Sequence, residues 1–257
     1  MPFTPESLFR SQPLVRKPAV ALSLVLATGA LVEFVFFWRG VQRARSLAAR
    51  GQRFERRIAS KGLAVLILGD STGVGVGARL PEESIAGLLA ADFPDADIVN
   101  ISQSGARISD AVAQASKCIA GGLHFDVAIL HVGGNDIVRA TPAEKLVDGC
   151  EALMRELSRL AHRTVWLGPP NLGLAPLFPL PYSWLLASRS RAATTIFARS
   201  SKRHDVSFVD FSAPAHAMHF GRRRRQHFAI DGFHPSSSGY RYGYAVARQA
   251  LGLTSKS

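Results

Sequence analysis

Leu63-Ala-Val-Leu-Ile-Leu-Gly-Asp-Ser-Thr-Gly73 begins as a run of apolar, partly β-branched residues and ends in a turn that carries a hydroxyl. An unbroken apolar run of this kind reads as a strand buried on both faces. Open α/β sheets place their chemistry at the carboxyl ends of such strands. Ser71 therefore stands where a nucleophile could be held, provided that a base, a carboxylate and oxyanion donors reach it.

Downstream of this stretch, strands and helices alternate. Strand Leu63–Leu68 leads through a glycine-rich turn to a helix near Glu82–Phe93, and strand Asp97–Ile101 to a helix near Ile108–Ile119 that stops at Gly121-Gly122. Strand Phe125–Val132 follows. Thr141-Pro142 then opens a helix, with Thr141 as N-cap and Pro142 in the first turn. Leu146, Val147, Cys150, Met154, Leu157 and Leu160 keep the spacing of one buried helical face. Strand Thr164–Leu167, a proline-rich irregular stretch from Pro169 to Pro181, a helix near Ser183–Ser201 and strand Val206–Asp210 complete the alternation. A loop from His216 to Asp231 precedes a last helix near Ser237–Leu251. Five such strands imply an α/β domain with one parallel sheet covered on both faces.

The 257 residues are 47% hydrophobic and 19% charged, enough for a sizeable core and too apolar for disorder. Cys118 and Cys150 belong to no metal-type pair and read as buried thiols. The formal net charge of +12 is uneven. Residues 1–61 carry 11 Lys and Arg against 3 acidic residues, whereas the remainder carries 20 against 16. That asymmetry argues against nucleic-acid binding by the globular part and for a membrane-surface role of the N-terminus.

Residues 1–17 are polar, and Pro18 to Trp38 is an apolar run of 21 residues, close to the ~20 that a spanning helix needs. Trp38 would sit at the interface, and Glu33 lies near the end of the run, where a carboxylate reaches headgroups or water. A cleaved signal peptide is the rival; cleavage after Ala27-Thr-Gly-Ala30 would leave the apolar Leu31–Trp38 as a new terminus. Arg39 to Lys61 is basic and reads either as a helix along an anionic membrane surface or as a solvated linker helix. The expected division is thus a membrane anchor with a basic linker, residues 1–61, and a catalytic domain, residues 62–257. The excess of Lys and Arg after the apolar run places that domain in the cytoplasm, with the periplasmic or extracellular side as the alternative.

Three further stretches bear on Ser71. Asn100-Ile-Ser-Gln-Ser-Gly105 follows the second strand, Gly133-Gly-Asn-Asp136 ends the third, and Asp231-Gly-Phe-His-Pro235 precedes the last helix. The fold can bring all of them to one rim. A serine needs a base, and a histidine held in one tautomer by a carboxylate is the usual one. Asp231 lies three residues before His234, so one short loop delivers both. The Ser71 N–H at a positive helix end, the Gly105 N–H and the Asn135 amide are the candidate oxyanion donors.

Together the four stretches resemble the signature blocks of the SGNH, or GDSL-type, esterase and lipase hydrolases, in the expected order over about residues 63–252. The resemblance implies Ser71 as nucleophile and first oxyanion donor, Gly105 and Asn135 as the other donors, His234 as base and Asp231 as its partner. Asn100, Ser104, Pro235 and Gly239-Tyr240 match the same blocks. It further implies a three-layer α/β/α sandwich with a five-stranded parallel sheet in near flavodoxin-like order, here preceded by the N-terminal hydrophobic helix. The substrate would be a small-molecule or lipid ester, cleaved without metal or organic cofactor. An acyltransferase or deacetylase acting on sugar or lipid could use the same site, and a catalytically idle membrane adaptor is the reading from another class.

Other features read as structural. Gly73-Val-Gly-Val-Gly77 lacks the spacing of a nucleotide loop. His216, His219 and His227 read as surface histidines rather than metal ligands. Asp70 shapes the turn, Asp136 orders its loop, and His131 is packed within its strand. Arg222 to Arg225 either flank the pocket mouth or form a solvated loop. Pro169 to Leu186, with Leu174, Leu177, Phe178, Leu180, Trp184 and Leu185, is either an apolar lid or acyl-chain wall or a loop packed on the core.

Overall fold

A computed structural model describes residues 16–58 and 62–253, with side chains from residue 21 onward. The polar lead before the apolar run and the expected boundary at residue 61 lie outside the described residues. The elements in chain order are α1 (Arg16–Arg50), β1 (Ala64–Gly69), α2 (Ser71–Val74), α3 (Ile85–Asp92), β2 (Asp97–Asn100), α4 (Ile108–Ala120), β3 (Phe125–His131) and α5 (Gly134–Val138). They continue as α6 (Ala143–Leu160), β4 (Ala161–Leu167), α7 (Tyr182–Arg203), β5 (Ser207–Val209), α8 (Pro214–Arg222), α9 (Arg224–His227) and α10 (Ser237–Ala250).

The strands form one parallel sheet in the order β2-β1-β3-β4-β5. Helices α4, α6 and α7 pack side by side on one face, and α3 and α10 cover the other. This is the flavodoxin-like doubly wound order that right-handed crossovers generate. Val65, Leu66, Ile67 and Leu68 are wholly buried because β1 is central and covered on both sides. Trp166 of β4 is also wholly buried; its indole N–H donates to the Val132 carbonyl at 3.1 Å, and its ring packs on Phe197 and Phe208. Cys118 and Cys150 are buried free thiols under the α4 and α6 layer.

Three local expectations change. Thr141 does not cap α6; its hydroxyl donates instead to Asp136 at 2.9 Å, and Pro142 takes the cap position. The stretch from His216 to Asp231 is not one loop, since it contains the end of α8 and all of α9, packed through Phe220 and Phe228. His227 is buried rather than on the surface, and the half-buried His219 stacks on Tyr242.

The N-terminal helix runs without a break through the apolar run and the first part of the basic segment. Among the described residues, Ala21–Arg50 is long and apolar enough to cross a membrane. Residues 21–36 are exposed, whereas Phe37, Gly40, Val41, Ala44, Leu47 and Ala48 are buried or half-buried. That spacing is one helical face, lying on the α/β domain. A Cβ on Gly40 would collide with the Leu177 side chain, so the small residue lets the helix come this close. The basic segment is therefore neither a surface helix nor a free linker throughout. After Arg50 it turns extended. Arg56 pairs antiparallel with Ile98, N–H to carbonyl at 3.0 and 2.7 Å, and covers the open edge of β2.

The Arg56 side chain has a second task. Its guanidinium donates to the carbonyls of Ala90, Phe93 and Ala96 at 2.9, 2.5 and 3.2 Å, where α3 runs out of backbone partners. Arg56→Ala removes the guanidinium from all three carbonyls, of which Phe93 keeps the Ala96 N–H at 3.0 Å, and a loss of about 1–3 kcal/mol is expected from urea denaturation. An unchanged midpoint would show that water replaces the guanidinium at no cost.

Candidate active site

Strand β1 ends in Gly69, whose φ of +126° belongs to the region that favours glycine. A Cβ there would overlap the His131 carbonyl oxygen. The close approach lets the Asp70 N–H donate to that oxygen at 2.7 Å, so the chain leaves the sheet still tied to β3. The Asp70 carboxylate then accepts the Thr72 N–H at 2.8 Å and starts α2, with Ser71 as its first residue. The Ser71 N–H consequently has no acceptor within its own helix.

Ser71, His234 and Asp231 are all buried, at 8, 6 and 2% exposure. The Ser71 Oγ lies 2.9 Å from His234 Nε2, and His234 Nδ1 lies 2.5 Å from Asp231 Oδ2. The other carboxylate oxygen of Asp231 accepts the N–H groups of Phe233 and His234 at 2.9 and 3.0 Å. Burial pushes the Asp231 carboxyl up, but the His234 hydrogen bond and charge, with the two N–H donors, together hold it below its ordinary value. A carboxylate that stays ionised beside Nδ1 fixes the imidazole with its proton on that nitrogen and leaves Nε2 free to accept from the hydroxyl.

The Asn135 amide donates to the Ala106 carbonyl at 3.0 Å, which ties the third stretch to the second next to Gly105 and leaves its other N–H available. The space beside the Gly105 Cα holds only the Arg139 guanidinium. Asn100 donates to the Gly73 carbonyl at 2.9 Å and accepts the Ser102 N–H at 3.1 Å, holding the second stretch against α2. Asp136 is fully engaged elsewhere. It accepts the Ile108 N–H at 3.0 Å and the Thr141 hydroxyl, fixing the start of α4 behind Gly105-Ala106. Asp136 thus orders its loop and does not reach His234, whose Nδ1 is held by Asp231.

Gln114 escapes a reading of the residues alone. Its side-chain amide accepts the Gly69 N–H at 2.9 Å and donates to the Gly69 carbonyl at 3.1 Å, standing in for a missing strand partner. Nothing in its position on α4 distinguishes it from a surface glutamine.

A cavity of about 90 Å³ opens beside Ser71 and runs inward under the rim. Ile85, Leu172, Phe211, Phe220 and Phe228 make its walls apolar. His131 also lines it, with an imidazole that burial pulls down to about 4, so it is neutral and no rival base. Leu172 and Phe178 of the proline-rich stretch are packed on the core, while Leu180, Trp184 and Leu185 stand exposed, so that stretch is part wall and part surface.

A buried hydroxyl, imidazole and carboxylate in hydrogen-bonded succession, at the carboxyl rim of a parallel sheet ordered 2-1-3-4-5, define the geometry of a serine hydrolase. Residues 67–242 match the GDSL-like Lipase/Acylhydrolase family, and the chain belongs to it. It is a hydrolase that cleaves ester bonds. Comparison with curated protein sequences found no match. Among solved structures the fold is similar to LAE5, an alpha/beta hydrolase enzyme from the metagenome of Lake Arreo, at 20% identity and a TM-score of 0.60, covering 76% of this chain and 97% of that one. It is also similar to Axe2, an acetylxylan esterase from Geobacillus stearothermophilus (21%, TM-score 0.56, 77% and 98% covered). A third is the psychrotrophic esterase EstA from Pseudoalteromonas sp. (19%, TM-score 0.57, 74% and 96% covered). These likenesses establish the SGNH hydrolase fold.

Asp70 carries a measurable pH signature. Burial raises its carboxyl from 3.8 to about 6, against the opposing pull of the Thr72 N–H. The folded state therefore holds the proton more tightly than the unfolded chain. The associated stability is fully present below 3.8 and is lost as pH rises through about 6. Asp70→Asn keeps an acceptor for Thr72 without the charge. Relative to wild type, its unfolding free energy should gain on the order of 3 kcal/mol across that window. Urea denaturation at several pH values checks this, and a pH-independent difference would refute it.

Proposed function

We propose that this protein is a membrane-anchored serine esterase that works through an acyl-enzyme on Ser71. The observation that carries the reading is the unbroken hydrogen-bond chain from the Ser71 Oγ through both nitrogens of His234 to Asp231. Ser71 Oγ attacks the ester carbonyl as its proton passes to His234 Nε2, and Asp231 stabilises the resulting imidazolium. The oxyanion is held by the Ser71 N–H, the Gly105 N–H and the free N–H of the Asn135 amide. His234 then protonates the departing alcohol, and the acyl-enzyme forms. Water, deprotonated by His234, attacks the acyl carbonyl and releases the acid and Ser71. Forms of the acetylxylan esterase described as catalytic mutants carry changes at an aspartate and a histidine three residues apart, the spacing of Asp231 and His234.

The anchor in this reading is the exposed apolar part of α1, and residues 62–257 are the catalytic domain. The docking of Phe37 to Ala48 on that domain supports a retained helix over a cleaved leader, because cleavage near Ala30 would leave a bare apolar stub. The excess of Lys and Arg after the run puts the catalytic domain on the cytoplasmic side.

Ser71→Ala is expected to abolish turnover of a short p-nitrophenyl ester and labelling by a fluorophosphonate, with an unchanged circular dichroism spectrum. Retained turnover would remove Ser71 as nucleophile. Asn135→Ala should lower kcat by about 10²-fold or more, the usual effect of losing one oxyanion donor. A loss below about tenfold would take Asn135 out of that role.

A further inference from the structure

Several large apolar side chains outside α1 are exposed: Ile230 at 73%, Trp184 at 69%, Leu180 at 55% and Leu185 at 45%. Ile230, Trp184 and Leu180 line two neighbouring grooves. Ile230 precedes Asp231 and shares a groove with Phe36, Phe37 and Arg43 of α1 and with Leu177 and Pro179. On the other side of the Leu177–Pro179 ridge, Phe178, Leu180 and Trp184 line a second groove with Arg224. The ridge thus joins the two apolar groups and touches α1 at one level, the turn where its apolar run ends in Phe-Phe-Trp-Arg. Aromatic residues followed by Arg mark the depth at which a spanning helix meets headgroups. Apolar side chains held beside that turn meet the same layer.

Charge agrees with this placement. Arg222, Arg223, Arg224 and Arg225 are exposed, and none of them pairs with a carboxylate among the described residues. Arg43 lines the first groove and Arg224 the second, so each apolar group carries a cation beside it, the pattern that favours anionic lipid surfaces. Glu33, the acidic residue of the apolar run, is exposed and lines the same groove as Gly232 and Arg43, on the side of α1 that faces the domain.

We propose that the rim formed by Leu180, Trp184 and Ile230 rests in the bilayer interface beside α1, and that the ester substrate is a lipid drawn from the same leaflet into the cavity at Ser71. This rests on the anchored-esterase reading and adds the orientation of the site and the class of substrate. A rim that begins one residue from the catalytic-loop aspartate brings the pocket to the lipid, so that a membrane-resident ester need not pass through water.

The test uses the full chain in vesicles of zwitterionic and anionic phospholipid with acyl chains brominated near the headgroup. Trp166 is wholly buried, so Trp38 and Trp184 are the exposed reporters. In a Trp184→Phe variant, quenching reports whether α1 is in the bilayer. In a Trp38→Phe variant, quenching reports whether the rim is. Quenching in both supports the proposal. Quenching of Trp38 without Trp184 overturns the rim and leaves the anchor standing, and quenching of neither overturns both. A second readout compares a vesicle-borne fluorogenic lipid ester with a soluble short ester. The variant Leu180→Ser/Trp184→Ser/Ile230→Ser should lower the ratio of lipid to soluble turnover by about tenfold, a change of about 1.4 kcal/mol. An unchanged ratio overturns the proposal. Loss of both activities in Ser71→Ala, with neither lost in the rim variant, would uphold the esterase and reject its lipid-facing rim.

Discussion

The hydrogen bond from the Asp70 N–H to the His131 carbonyl is the constraint from which the site is built. It holds the exit of β1 against the end of β3 at the only point where the chain could splay apart before α2 begins. Gly69 makes it possible by leaving the space of a side chain to the His131 oxygen. On the side toward β2 the Gly69 carbonyl accepts the Gln103 N–H at 2.9 Å, and the Gln114 amide shares that carbonyl and takes up the Gly69 N–H. Ser71 is fixed as a result of this arrangement, two residues past the glycine, with its N–H turned out of the helix and its hydroxyl toward the loop that carries His234.

The remaining parts are brought to that point by hydrogen bonds that each serve two stretches at once. Asn100 joins the end of β2 to α2, Asn135 joins the end of β3 to Ala106, and Asp136 joins the same loop to the start of α4. Asp231 organises its own loop with one oxygen and the imidazole with the other. These polar side chains are short, Asn100, Asp136 and Asp231 are buried, and each meets backbone groups that need partners, so the geometry is rigid before any substrate arrives. Hydrogen bonds of this kind strengthen in a dry site, and the apolar cavity wall supplies that dryness.

Much of this was legible in the residues. The period of the chain after Leu63 gave the parallel α/β alternation, because a strand buried on both faces leaves an unbroken apolar run. The four short stretches gave Ser71, Gly105, Asn135, Asp231 and His234, because each carries side chains that make chemical sense only when brought together. The edge of the sheet was not legible. Arg56 sits in a basic run that reads as a solvated helix, and only the fold reveals that its backbone closes β2 and its guanidinium ends α3. Gln114 and His227 were missed for a related reason. Their partners are set by tertiary packing, which leaves no periodic trace. Thr141 was misassigned because its hydroxyl turns to donate to Asp136 instead of accepting an N–H of α6, and Pro142 takes the cap position.

The two cysteines carry a consequence for where such a protein can work. Both thiols are enclosed and unpaired, and burial pushes Cys150 up to about 12 and raises Cys118 as well. Neither presents a thiolate to an oxidant, and no covalent cross-link between them holds the fold together. The folded protein is thus insulated from the redox poise of the surroundings. The same polypeptide would be equally sound in a reducing or an oxidising compartment.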